Sequence, residues 1–570
     1  MEDIFMAILF GDASGSLSGK QRGGNQTLIG VDPENTIYGD AGQDLLDKAQ
    51  GGNDTLITFG FGNLYGDAGG KIVDHAIGGN DTLQANINSA IGGETLNMFG
   101  DAGVNITNHG RGGDDTLIVL GDDFVVSSST IINLNMYGDA GGYLSDHAIG
   151  GNDTIRGPAA ISFSLSANLF GDAGTTLSGN AVGGDDVITG GMTVLGGQTL
   201  KIFGDAGENM TDHAIGGNDL ITGDHSPHQF LFGDAGNDMF EFAKGGDDHI
   251  ILGRLNNASN VFAFGDAGGN MLDHARGGDD VLDGSNATFV LEYGDAGGNL
   301  SGDAKGGDDT LIGGQAGSAL FGDAGGNMSD HVLGGNDVLT ISGAQITANF
   351  GKMFGDAGGQ MSGNSQGGND LLTNTGPDIF EGMFGDAKTM IDEAQGGDDT
   401  LQNTNNPTPL YGDAYSMSGH AVGGDDMLVG GLTGRFSSTN NSLIGDAYEM
   451  HGSAKAGNDV LVSGEGNDQM WGDAVVMDAT ATGGNDTFVF KLNNGHDVIE
   501  DFGQGINGIA GSNWGTDHID LTALGIHDFS QLTISAFDAG TGESTITLSP
   551  GNDIVVHSQV ALTATDLLLA

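Results

Sequence analysis

Cysteine is absent from the 570 residues, so neither a disulfide framework nor a thiolate metal site is available. Lysine and arginine together number 16, against 77 aspartates and glutamates, a formal charge of −61. Such an excess makes nucleic acid and anionic membrane surfaces poor partners and divalent cations or a basic partner good ones. No run of 18 apolar residues occurs, so no membrane span is expected. The start, Met1-Glu-Asp-Ile-Phe, lacks the basic region and cleavage site of a secretory leader. Proline is scarce, at 7, and the 108 glycines follow no Gly-x-y period, which excludes collagen. Helix start signals and the common catalytic signatures are missing too. There is no His-Glu-x-x-His, no Gly-x-Ser-x-Gly and no Walker loop. Gly503-Gln-Gly-Ile-Asn-Gly508 fits a dinucleotide fingerprint but has no helical pattern after it.

What is present is repetition. An aromatic-Gly-Asp-Ala unit occurs sixteen times, with its aspartate at Asp12, Asp40, Asp67, Asp101, Asp139, Asp172, Asp205, Asp234, Asp266, Asp295, Asp323, Asp356, Asp386, Asp413, Asp446 and Asp473. The mean period is about 31 residues, within the range of solenoids. Each copy is followed by Gly-Gly-(Asn/Asp)-Asp-x-(Leu/Ile). This second unit supplies Asp54, Asp81, Asp115, Asp153, Asp186, Asp219, Asp248, Asp280, Asp309, Asp337, Asp370, Asp399, Asp426, Asp459 and Asp486; Gln26 replaces it in the first copy. The leg between the two positions is 14 residues in twelve copies and 13 in the last four, whereas the return leg varies from 13 to 24. A leg held constant has a geometric job, and a variable one reads as strand plus surface loop.

Three apolar columns accompany the acidic ones. They are the aromatic two before the first aspartate (Phe10, Tyr38, Phe321; Ile444 is the exception), a Met, Leu or Ile after it (Leu17, Met210, Met328), and an apolar residue after the second (Leu56, Ile155, Leu339). All three are expected to face inward. One apolar position per short strand makes no core alone, but equivalent positions stacked coil on coil do. The chain therefore reads as all-β, short strands and glycine turns wound into a parallel solenoid of about sixteen coils.

At these residues the chain resembles the repeats-in-toxin (RTX) family, whose nonapeptide is Gly-Gly-x-Gly-x-Asp-x-U-x with U apolar. Gly233-Asp-Ala-Gly-Asn-Asp-Met-Phe-Glu241 fits apart from Asp234 at the second glycine, and Gly464-Glu-Gly-Asn-Asp-Gln-Met470 carries the pattern's centre. These add Asp238 and Asp468 to the candidate ligands. The likeness covers about residues 10–490 and implies a right-handed parallel β-roll with Ca²⁺ held between turns by aspartates and carbonyls. Most first units keep Asp where the family has glycine. The chemistry points the same way. Ca²⁺ takes six to eight hard oxygens, and aspartates stacked one coil apart repel strongly without a cation between them. About 15 to 30 Ca²⁺, at roughly one or two per coil, would cancel most of the charge. The alternative is aspartates that cap turns with no ion. The column Asp74-His75, Asp146-His147, Asp212-His213, Asp273-His274 and Asp330-His331, shared by His109 and His420, reads as solvent-facing turns, with Zn²⁺ or Cu²⁺ binding as the alternative.

After about residue 490 the aromatic-Gly-Asp-Ala unit stops, dividing the chain into repeats (1–490) and a C-terminal region (491–570). Ser544-Thr-Ile-Thr-Leu548 and Asp553-Ile-Val-Val556 alternate as capping strands do. The end, Asp566-Leu-Leu-Leu-Ala570, is similar to the uncleaved signal of RTX proteins exported by type I secretion. The expectation is a secreted, extracellular calcium-binding protein. It would be unfolded in the calcium-poor cytosol and would fold outside, where binding free energy becomes folding free energy. Its role reads as structural or adhesive, without enzymatic activity, with self-assembly or a cell-surface polysaccharide as partner. The alternatives are a polysaccharide lyase or epimerase on a solenoid, and the repeat part of a larger toxin or adhesin.

Overall fold

The computed structural model describes residues 6–87, 94–120, 131–158, 164–191, 199–253, 261–315, 317–342, 351–376, 381–404, 408–431, 441–506, 509 and 511–570. The first five residues, and Asn507 and Gly508 of the lone fingerprint, lie outside them. The chain is an all-β solenoid of about 15 turns, not a barrel. It divides into two compact units, Met1–Gly298 and Asn299–Ala570.

In the first unit every coil gives one strand to each of two parallel sheets. The strand before each Gly-Asp-Ala builds the first sheet: Met6–Phe10 pairs with Glu34–Tyr38, which pairs with Phe61–Tyr65, and so on coil by coil. The strand after each second aspartate builds the other: Thr27–Gly30, Thr55–Thr58, Thr82–Asn86 and their successors. The third side has no continuous strand in most coils. Single bridges such as Ala13↔Ala41, Leu17↔Leu45 and Arg22↔Gln50 hold it in register. In every case the partner is the equivalent residue one coil on, which is why the sequence repeats where it does.

The interior is a bundle of apolar ladders, and two of the three expected columns belong to it. Leu17 and Met210 are buried, as are Leu56 and Ile155. The aromatic column does not. Along Glu34–Tyr38 the buried residues are Asn35 and Ile37, so Tyr38 shares the outer face with Glu34 and Thr36. The inward residue is the one before the aromatic: Ile37, Leu64, Met98, Met136 and Leu169. The rings instead stack on one another outside the sheet. From Phe10 to Tyr137 neighbouring centroids lie 4.8–5.0 Å apart and within 6° of parallel. The glycine after Gly-Asp-Ala covers each ring from the next coil; a Cβ on Gly207 would stand 2.6 Å from Cε1 of Phe170. The aromatic column is thus covered by stacking and by glycine, not by the interior, and its first ring, Phe10, stays exposed.

The second unit follows the same plan, with one change. In its last four repeats the leg is one residue shorter, and the third side becomes real strand: Ala387–Met390, Ala414–Met417, Ala447–Met450 and Ala474–Met477. The strand before them, Ala357–Met361, still carries the extra residue as a register shift between Ala357 and Gln360. Strand stacking continues past residue 490: His496–Phe502 pairs with Asp468–Trp471, and His518–Asp520 with Thr487–Val489. The expected cap is present. Glu543–Ser549 pairs antiparallel with Asn552–Ser558, which lies parallel to His496–Phe502. Among the described residues helix is confined to single 3₁₀ turns, and none is long and apolar enough to cross a membrane.

Candidate functional site

Both acidic columns point into the solenoid. Asp40, Asp67, Asp101, Asp139, Asp172, Asp205, Asp234, Asp266 and Asp295 in the first unit are fully buried, as are Asp323, Asp356, Asp386, Asp413 and Asp446 in the second, with Asp473 nearly so. The second column, from Asp54 to Asp280 and from Asp309 to Asp486, is at most 3 % exposed. Asp12, on the first coil, is exposed.

The constant leg has a direct explanation. The first aspartate reaches across its own coil to the second glycine of the Gly-Gly pair: the N–H of Gly52 donates to Asp40 (2.6 Å), that of Gly79 to Asp67 (2.7 Å) and that of Gly113 to Asp101 (2.8 Å). The second aspartate links coils. Its N–H donates to the equivalent carboxylate one coil further on, Asp54 to Asp81 and Asp81 to Asp115, each at 2.6 Å. The pattern recurs in the second unit, where Asp337 donates to Asp370 at 2.7 Å. One carboxylate oxygen in each second-column aspartate is thereby satisfied. The other, Oδ2, has no hydrogen-bond partner at Asp54, Asp81, Asp115, Asp153, Asp186, Asp219 and Asp248, nor at Asp337, Asp370, Asp399, Asp426, Asp459 and Asp486. Each orphan lies against the glycine of Gly-Asp-Ala and a carbonyl of the next coil: a Cβ on Gly66 would overlap both Asp81 Oδ2 and Gly100 O.

Along the first column the carboxyl groups of successive coils touch one another, Asp40 with Asp67 and Asp67 with Asp101. Burial raises these carboxyls, and at Asp67, Asp101 and Asp115 neighbouring charges raise them further. Asp40 and Asp139 are pushed up to about 6, Asp54 and Asp266 to about 7, from 3.8. Asp101, crowded by Asp115, Asp67 and Asp139, goes well above that ordinary value. The first coil differs. Slight burial raises Asp12, but the Gly24 N–H and the Gln26 amide outweigh it and hold the carboxyl below its ordinary value. Gln26 Nε2 donates to Asp12 Oδ2 at 2.8 Å, so a neutral amide stands where other coils have the second carboxylate.

Neither family-like nonapeptide aspartate joins these columns. Asp238 is half-buried on an outer row, where it accepts from the backbone N–H (2.7 Å) and side-chain amide (2.9 Å) of Asn270. Asp468 is buried elsewhere in the interior, where its N–H donates to Asp497 (2.9 Å) and its carboxylate accepts from Asn441 (2.6 Å). Two members of the buried array went unread. Asp501 accepts from Gly472 N–H at 2.8 Å and Asp517 from Asp486 N–H at 2.9 Å. Gly515-Thr-Asp-His-Ile519 is the second unit with one glycine lost, which was the available signal. The residue before each second aspartate forms a further, exposed ladder, in which Asn218 N–H donates to Asp185 (2.9 Å) and Asp247 N–H to Asn218 (2.7 Å). The histidine column is exposed. His75, His109 and His147 stack at 4.8 and 4.9 Å, each following a residue in left-handed backbone, Asp74, Asn108 or Asp146.

No family model matches this chain, and neither a curated protein nor a solved structure matches it. Among the described residues no three His, Asp or Glu side chains converge as a metal-binding group, so a cation would need backbone carbonyls as well. The donors fit Ca²⁺ in kind, being hard, buried and orphaned oxygens beside backbone carbonyls. A bound cation would draw on a second-column Oδ2 and on carbonyls of the glycine turns, with the first-column carboxylates adding charge nearby.

Proposed function

We propose that this is a calcium-binding repeat protein of the RTX kind, exported unfolded by a type I route and folded by Ca²⁺ outside the cell. Its role is structural or adhesive rather than enzymatic, with self-assembly or a cell-surface polysaccharide as its partner. The observation that carries the reading is the pair of buried carboxylate columns. At a spacing near 4.8 Å and an effective dielectric of about 20, each neighbouring pair of charges costs roughly 3 kcal/mol. Repeated over every coil, that repulsion opposes folding of the ionised chain. Divalent cations that bind only the folded chain reverse it, and their binding free energy adds to stability. The −61 charge accords with export before folding.

The test is a calcium titration of metal-free protein at about pH 8, followed by far-ultraviolet circular dichroism and calorimetry. Strand signal should be weak in chelator and rise with calcium, with more than ten ions bound. A full strand signal in chelator at that pH would refute the proposal.

A further inference from the structure

In the second unit the repeat breaks its own rule at one place. At Gly358 the residue after Gly-Asp-Ala is still glycine, and a Cβ there would overlap the ring of Phe321. In the next three coils that position is Lys388, Tyr415 and Tyr448. Loss of the extra residue has straightened this side into strand, so these side chains stand beside the outer stack of rings. That stack runs Phe354, Phe384, Tyr411 at 4.7 Å per step. Between them lies a cavity of about 320 Å³ lined by Phe354, Glu381, Phe384, Lys388 and Tyr415. Its volume falls in the range of small-molecule sites.

The chemistry of the lining is specific. Tyr415 is 39 % exposed. It stacks on Tyr448 at 5.1 Å and meets Tyr411 edge-on at 6.1 Å, which fixes the ring as a wall. Lys352 pairs with Glu381 at 3.9 Å and lies over Phe354 at 5.8 Å, so those two charges offset each other. Lys388 is exposed and leaves the site with a net positive charge. Only 16 residues of this chain are Lys or Arg, and two of them gather here. A flat ring wall takes the apolar face of a sugar, an ammonium takes a carboxylate, and Glu381 accepts from hydroxyls. A simple organic anion would leave the rings unused, and a neutral sugar would leave Lys388 unused.

We infer that this cavity binds an acidic oligosaccharide, with one sugar ring against Tyr415 and its carboxylate on Lys388. The inference rests on the adhesive part of the proposed function and is independent of where calcium binds.

The full-length protein, in calcium and with its strand signal verified, would be titrated calorimetrically with a glucuronate-bearing tetrasaccharide and with a neutral glucose tetrasaccharide. The acidic one should bind more tightly, and less so as salt rises. Lys388→Gly, which restores the residue of other repeats, should weaken binding about tenfold. Tyr415→Ala should weaken it by a comparable factor with the strand signal unchanged. Equal binding of the neutral sugar, unchanged binding in both variants, or no binding of the acidic sugar to folded protein would each overturn the inference. Folding on calcium without sugar binding would overturn this inference alone; sugar binding by a protein folded in chelator would overturn the calcium reading alone.

Discussion

Asp101 accepts the Gly113 N–H with one oxygen, while its carboxyl group also faces Asp67, Asp115 and Asp139. Its geometric and electrostatic roles are therefore separable. Asp101→Asn keeps an acceptor for that N–H and removes the charge. In chelator it should extend the strand signal to higher pH, because repulsion falls; in calcium it should lower the bound-ion count by about one. Asp101→Ala loses the acceptor as well and should destabilise the calcium-folded chain by about 1–3 kcal/mol. Glycine carries an equal share of the specification. Gly207→Ala places a methyl against Phe170 and the Gly174 carbonyl. Overpacking of this kind costs about 1–3 kcal/mol, readable as a lower denaturation midpoint.

At the scale of the strand, the aromatic stack is interrupted once in the second unit, by Ile444 between Tyr411 and Trp471. Ile444→Phe should complete it and stabilise by about 0.5–1.5 kcal/mol, measured by thermal melting in calcium. This column also shows where reading the sequence ran out. Its period was plain, and so was the parallel stacking, because the same residue types recur at equivalent places. Its direction was not, because turns break the alternation that would reveal parity. Tyr38 and Ile37 are adjacent and both apolar, and only the buried Asn35 two residues before Ile37 shows which of them faces inward. The second aspartates were legible from Gly-Gly-Asn-Asp; that Asp323 is as buried as Asp337 was not, since an aspartate after glycine is compatible with a surface turn. Lys352, Lys388 and Glu381 looked scattered along the chain because variable return legs separate residues that stacking brings together.

For the whole molecule, the raised carboxyl groups set a pH dependence. Asp54 and Asp266 sit near 7 and Asp139 and Asp413 near 6 in the folded chain, against 3.8 ordinarily. Between those values the folded state holds more protons than the unfolded one, so stability falls as pH rises. Their contribution is complete below about pH 4 and lost through about pH 6–7. In chelator, strand signal should persist at about pH 4 and vanish by about pH 8, and calcium should restore it at the higher pH; a flat profile in chelator would contradict this. The ladder of second aspartates has one more consequence. Because the second-aspartate N–H groups, such as those of Asp54 and Asp81, reach toward the next coil, the array has a grammar with a direction, and Gln26 is its opening mark. A shortened array that began at Asp54 would open on a carboxylate written for the middle of a sentence. Replacing that residue with glutamine is the punctuation by which such a protein could be cut to any whole number of coils.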